Sequence, residues 1–218
     1  MRIDMNAALR DLYTPAVASL AGITAPFSGV SRPLLIDVPA SYHDAPVKLM
    51  IVGQQTRGWG GTCETVDDLT AFYTTFELGR TQRRSQFWQA AHTLHGALNP
   101  ESLEGGFLWS NLVKVDQGGG RPRSPGLEDA VCGLDLLQGE IRVTRPDVVI
   151  FFTGPSYDGR LASTFPGVAF NRVSGNLFQL QHPALPAQSY RTYHPRYLRR
   201  SGRWKVLDEI ATRCRAAA

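Results

Sequence analysis

The chain has 218 residues, 43% of them hydrophobic and 19% charged, with a formal net charge of +4. That balance suits a globular domain with its own core and excludes the disordered and fibrous classes. No apolar run reaches the roughly 18 residues a membrane-crossing helix needs, and no secretion signal opens the chain, so a cytoplasmic protein without a membrane partner is expected. Cys63, Cys132 and Cys214 are scattered, which predicts neither a disulfide framework nor a zinc or cluster site.

In chain order, a helix is predicted from Ala7 to Leu20, followed by a stretch punctuated by Pro26, Pro33, Pro39 and Pro46. Residues 1–46 then form a lead-in to one domain spanning 1–218. Val47 to Val52 is short, apolar and stopped by Gly53, as a buried strand should be. Phe72, Phe76, Phe87, Trp88, Ala91 and Leu94 mark a helical region, with Phe87 and Trp88 assigned to the core. Phe107 to Val113 reads as a second strand, and a Gly/Pro loop follows from Gly118 to Pro125. Val131, Leu134, Leu137 and Ile141 recur at helical spacing within one helix from Leu127 to Val143. Val148 to Phe152 is a third strand, ended by Gly154-Pro155. Gly175 to Gln181 and Ser189 to Tyr193 suggest a hairpin, and a helix from Trp204 to Arg213 closes the chain.

Near-continuous apolar strands separated by helices predict a three-layer α/β/α fold around a mostly parallel, four-stranded sheet. Ligands of such sheets lie beyond the carboxyl ends of the strands, where strand order reverses. That rule gathers residues 53–61, 111–116, 154–157 and 194–200 around one crevice. Basic residues accompany these segments. Arg191, Arg196, Arg199, Arg200, Arg203 and Lys205 follow one another without an acid, and Arg80, Arg83, Arg84, Lys114, Arg121 and Arg123 form two further groups. Such clusters suit phosphate contact.

The segments also resemble, in order, the motifs of the uracil-DNA glycosylase superfamily. Lys48 to Gly53 with its polar turn resembles the first motif. Asn111-Leu112-Val113-Lys114, with Arg121 and Pro125 ahead of a helix, resembles a segment of the bacterial and archaeal iron–sulfur branch. Arg145-Pro146-Asp147 and the strand to Gly154 are similar to another segment of that branch. Gly175 to Phe178 resembles the hairpin ahead of its last motif. Thr192-Tyr193-His194-Pro195-Arg196-Tyr197-Leu198-Arg199-Arg200 resembles the second signature motif. Together the matches cover about residues 47–210. Two departures stand out: the cluster cysteines are missing, with Val115 at one of their positions, and Gln54 and Gln55 stand where related branches carry an acid or asparagine.

The resemblance implies a monomeric DNA glycosylase without cofactor or metal, acting on duplex or single-stranded DNA. It implies His194 as donor to the leaving base, Gln54 and Gln55 as contacts to base or water, and Asn111 as reader of the base edge. Trp59 and Phe76 are the candidate stacking aromatics, and Leu198 the wedge that fills the vacated stack. Arg196, Arg199, Arg200, Lys114 and Arg121 are expected at the DNA backbone. His182 is read as a decoy, and Asp116 and Glu64 are the acids nearest the first motif. The expected substrate is uracil or another modified pyrimidine, including C5-substituted bases of the bacteriophage type, which would give a defence role. A non-catalytic DNA-binding module on the same fold is the competing reading. A nucleotide-binding enzyme fits less well, because Gly53-Gln54-Gln55-Thr56 matches neither a dinucleotide fingerprint nor a P-loop.

Overall fold

A computed structural model describes residues 4–102 and 105–216 of the chain. It opens with α1 (Met5–Thr24), whose N-terminus Asp4 caps by accepting from the backbone of Asn6 and Ala7. After α2 (Ala40–Asp44) come β1 (Leu49–Gln55), α3 (Val66–Phe76), a 3-10 stretch over Glu77–Gln82, and α4 (Gln86–Leu98). Next are β2 (Phe107–Val113), α5 (Leu127–Cys132), α6 (Leu136–Thr144) and β3 (Val148–Phe151). Then follow a short 3-10 turn (Pro155–Tyr157), α7 (Asp158–Thr164), β4 (Ala169–Arg172), β5 (Leu177–Gln181) and β6 (Gln188–Thr192). The described chain ends with α8 (Pro195–Arg200) and α9 (Val206–Ala216).

The strands form one mixed sheet of six in the order β2-β1-β3-β6-β5-β4. The first four are parallel, while β5 and β4 extend the edge as antiparallel partners. The expected four-stranded sheet is therefore corrected. The predicted hairpin forms as β5 and β6, and β4, mostly exposed with a pattern too weak to read, adds the sixth strand. The chain moves from β1 to β2 through α3 and α4, then crosses back to β3 through α5 and α6. Right-handed crossovers in opposite directions place their helices on opposite faces. The packing agrees: α1 lies against α5 and α6, and α4 against α8 and α9.

Two predicted helices are broken. The span from Leu127 to Val143 divides at Gly133-Leu134-Asp135, where Asp135 adopts φ 52°. The aromatic region from Phe72 to Leu94 is interrupted by Glu77, Leu78 and Gly79, all at positive φ. Gly79 allows this turn because the Trp88 indole packs onto it and leaves no room for a Cβ. No helix among the described residues is long and apolar enough to cross a membrane.

Candidate functional site

Beyond the carboxyl ends of β1, β2 and β6 opens a crevice of about 1000 Å³. It lies where strand order reverses around β1, the position expected for a ligand in this architecture. Gly53 on β1 pairs with Asn111 on β2, and the Asn111 carboxamide lies so close that a Cβ at residue 53 would collide with its oxygen. Glycine is needed there for that contact. Asn111 is 1% exposed, and its Nδ2 has no hydrogen-bond partner. A buried unpaired amide carries a penalty of about 1–3 kcal/mol, and this one stands in the crevice wall.

His194 ends the strand-to-helix turn after β6 and caps α8, with Pro195 as the first helical residue. Its Nδ1 accepts from the Arg196 backbone N–H at 3.2 Å. That bond leaves the proton on Nε2, which makes His194 a hydrogen-bond donor through that atom. Burial lowers its pKa, and the neighbouring Arg196 charge lowers it further. Near neutral pH the ring is therefore uncharged. Phe87 stacks nearly parallel to it, with ring centroids 5.9 Å apart at 28°.

Phe87, assigned to the core, packs against it and lines the crevice as well. It sits on the apolar stripe of α4, which predicts core. The first turn of that helix, however, overhangs the strand ends, so the ring lines the crevice beside His194 and Gly53. Trp59 and Phe76 do line the crevice, joined by Trp109, which was not singled out. Trp59 meets Phe76 and Trp109 edge to face at 5.3 and 5.2 Å. Arg57, which with Gly58 follows the first motif and is read as shaping the pocket, lines the crevice. So do Tyr197 of the second motif and Gln82 and Ser85, to which no role was given. The Arg83-Arg84-Ser85 run ahead of Phe87 was the available signal for that side.

Gln54 and Gln55 line the crevice with their carboxamides already engaged. Gln54 donates to the Thr153 carbonyl at 2.7 Å, tying β1 to the end of β3. Gln55 accepts from the Tyr157 hydroxyl through Oε1, which leaves its N–H groups as the free side. The Tyr157 phenol is pushed up to about 12 by burial, so it stays a donor throughout the neutral range. Neither nearby acid reaches the crevice. Asp116 is buried and accepts from Thr56 Oγ1, Gly58 N and Gly119 N at 2.7–2.8 Å, clamping the loop after β1. Glu64 is an exposed loop residue. Among the described residues no carboxylate lines the crevice, whereas Arg57, Arg196 and Arg200 do.

Two expected DNA contacts, Lys114 and Leu198, are corrected, and a third, Arg121, is engaged within the protein. Lys114 is buried against Glu140, with Nζ–Oε2 at 2.5 Å, on the opposite side of β2 from Asn111. Arg121 forms a fork with Glu128 at 2.6 and 2.7 Å and also donates to the Ser156 carbonyl, so its guanidinium braces two loops. Leu198 is fully buried in the core because α8 turns it inward. Arg196, Arg199 and Arg200 remain exposed, with Arg199 lying over the Trp204 ring at 3.8 Å. His182 sits in the turn before β6, at the other end of that strand from His194. No group of three or more His, Cys, Asp or Glu among the described residues could hold a metal ion. Compared with known proteins, the chain matches no family model, and no curated protein matches it.

Proposed function

We propose that the protein is a DNA glycosylase that takes an extrahelical pyrimidine, uracil or a C5-substituted base, into this crevice and hydrolyses its N-glycosidic bond. The observation that carries the reading is the buried, unpaired Asn111 amide sharing one crevice with the neutral, Nε2-protonated His194. A carboxamide can donate to one edge atom of a base and accept from its neighbour. Phe87 offers a flat platform for the ring.

In the reaction the C1′–N1 bond breaks, and its electron pair leaves with the base. Water forms the new bond to C1′ and releases its proton to solvent. The His194 Nε2–H donates to the base O2 as negative charge develops there. A preorganised donor of this kind acts in the transition state more than in the ground state. Arg57, Arg196 and Arg200 favour the departing anion and disfavour the sugar cation. Without a carboxylate at the crevice, the chemistry depends on the base as leaving group, so excision should quicken as the base becomes more acidic.

The competing reading is a DNA-binding module without turnover, favoured by the absence of a carboxylate from the crevice lining. Oligonucleotides carrying uracil, thymine mispairs or 5-hydroxymethyluracil, cleaved with alkali after incubation, separate the two. Strand breaks with the wild type and with His182→Ala, but not with His194→Ala, support the glycosylase. Bound DNA without breaks on any substrate selects the module, and neither binding nor breaks overturns both.

A further inference from the structure

An enzyme that turns a nucleotide out of a duplex leaves a gap in the stack, which an inserted side chain must fill at a cost of a few kcal/mol. Leu198 cannot serve where it stands, since no part of it reaches the surface. Arg199 is held over Trp204 and hydrogen-bonded to Gln89, to one side of the crevice. The buried aromatics Trp59 and Trp109 lie within the crevice wall.

Tyr197 is differently placed. Half-buried, it lines the crevice in the first turn of α8, between the exposed Arg196 and Arg200, which line it too. Its ring stacks on Tyr193 at 4.5 Å and 22°. Tyr193 rests in turn against Gly154, at the end of β3. The Arg203 guanidinium lies 5.9 Å from the Tyr197 ring centroid and donates to its hydroxyl at 3.4 Å. Arg203 is itself steadied by Asn176 at 2.7 Å. The aromatic ledge is thus fixed from beneath and from the side. An ordered ring loses little further freedom when a base stacks on it, which makes it a better filler than a mobile side chain.

We propose that Tyr197, propped by Tyr193 and Arg203, is the residue that fills the vacated stack in duplex DNA, in place of Leu198. The inference rests on the base-extruding reading, and it assigns Tyr197 a positioning role for duplex substrate. The flanking Arg196 and Arg200 then reach phosphates on either side of the gap.

Equilibrium binding of the full chain to three labelled probes tests it: a duplex with a tetrahydrofuran abasic site, the matched intact duplex, and the abasic single strand. Wild-type protein should prefer the abasic duplex. Tyr197→Ala should lose about tenfold of that preference, within the range for one base–aromatic stack, with single-strand affinity held within about twofold. Tyr197→Phe, which keeps the ring, should retain the preference. Leu198→Ala should lower the melting temperature and leave the preference intact. The proposal is overturned if Tyr197→Ala keeps the preference or weakens single-strand binding equally. It also falls if Leu198→Ala alone abolishes the preference at an unchanged melting temperature. A wild type indifferent to the abasic site would withdraw the base-extruding reading together with this inference.

Discussion

The two sides of β2 treat buried polar groups in opposite ways. On the side facing α1 and α6, Ser110 donates to Glu140 at 2.7 Å, Lys114 donates to both, and Tyr13 donates to the other Glu140 oxygen at 2.9 Å. The Ile36 backbone N–H in turn donates to the Tyr13 hydroxyl. On the crevice side, the amide of Asn111 and the indole N–H of Trp109 have no partner. Alternation along a strand puts Ser110 on one face and residues 109 and 111 on the other. A polar group in a completed network holds the fold together, whereas one left open beside a crevice lowers stability and has its hydrogen-bonding capacity unused.

The largest test of this contrast is Glu140→Ala. Removing one partner leaves the Lys114 ammonium buried and unpaired, so unfolding free energy should fall by about 3–5 kcal/mol in a denaturant titration. Burial already lowers the Lys114 pKa against the opposing pull of Glu140, which is the same imbalance seen from the lysine. Replacing Lys114 and Glu140 together by Met and Leu should recover much of the loss. A single substitution costing less than about 1 kcal/mol would deny the network its structural role.

On the crevice side the expected loss is in rate. His194→Ala should slow single-turnover excision by ~10²-fold or more, the scale for one donor to a developing oxyanion. Because the His194 pKa is depressed, by burial first and by Arg196 second, the donor is the neutral ring. Activity should then stay level as pH rises through the ordinary imidazole range near about 6.5. Stability has the matching sign: the unfolded histidine takes up a proton that the folded one resists, so the fold loses stability as pH falls through that range. An activity loss on the rising side would show the imidazolium to be the working form.

How much of this was legible follows the same division. The apolar runs of β1, β2 and β3 could be read directly, because strands buried on both faces are continuous stretches of large hydrophobic residues. His194 and Asn111 were legible as strand-end residues, and the structure brings both to one crevice. Lys114 was misread because a basic residue beside a motif looks the same in sequence whether it meets phosphate or a carboxylate 26 positions away. Leu198 and Tyr197 are adjacent, and only the rotation of α8 decides which turns inward. Phe87 packs against the core as the stripe of its helix predicts, and its further place in the crevice wall follows from where that helix begins relative to the strand ends. Each miss turns on how an element packs against parts of the chain distant in sequence, which local periodicity does not encode.

A smaller effect sharpens the contrast from the open side. Asn111→Ala removes a donor that has no partner, so no hydrogen bond is lost on mutation. Its unfolding free energy should stay within about 1 kcal/mol of the wild type, while discrimination between uracil and cytosine falls. A loss as large as that of Glu140→Ala would mean that Asn111 belongs to the structural class after all.

The least change is expected in the salt dependence of DNA binding, and it separates the basic residues by the same criterion. Arg196 and Arg200 are exposed, line the crevice and have no carboxylate partner among the described residues. Each phosphate neutralised adds about 0.9 to the slope of log affinity against log salt for duplex DNA. Substituting both by glutamine should therefore flatten the slope by up to about two units. Arg121→Gln should leave it unchanged, because that guanidinium already faces Glu128 and releases no counterion on binding. Glu128 keeps Arg160 as a partner in that variant, so its carboxylate is not left unpaired. If Arg121→Gln flattens the slope while the Arg196 and Arg200 pair does not, the DNA path runs over the loop after β2, and the second-motif helix is not at the interface.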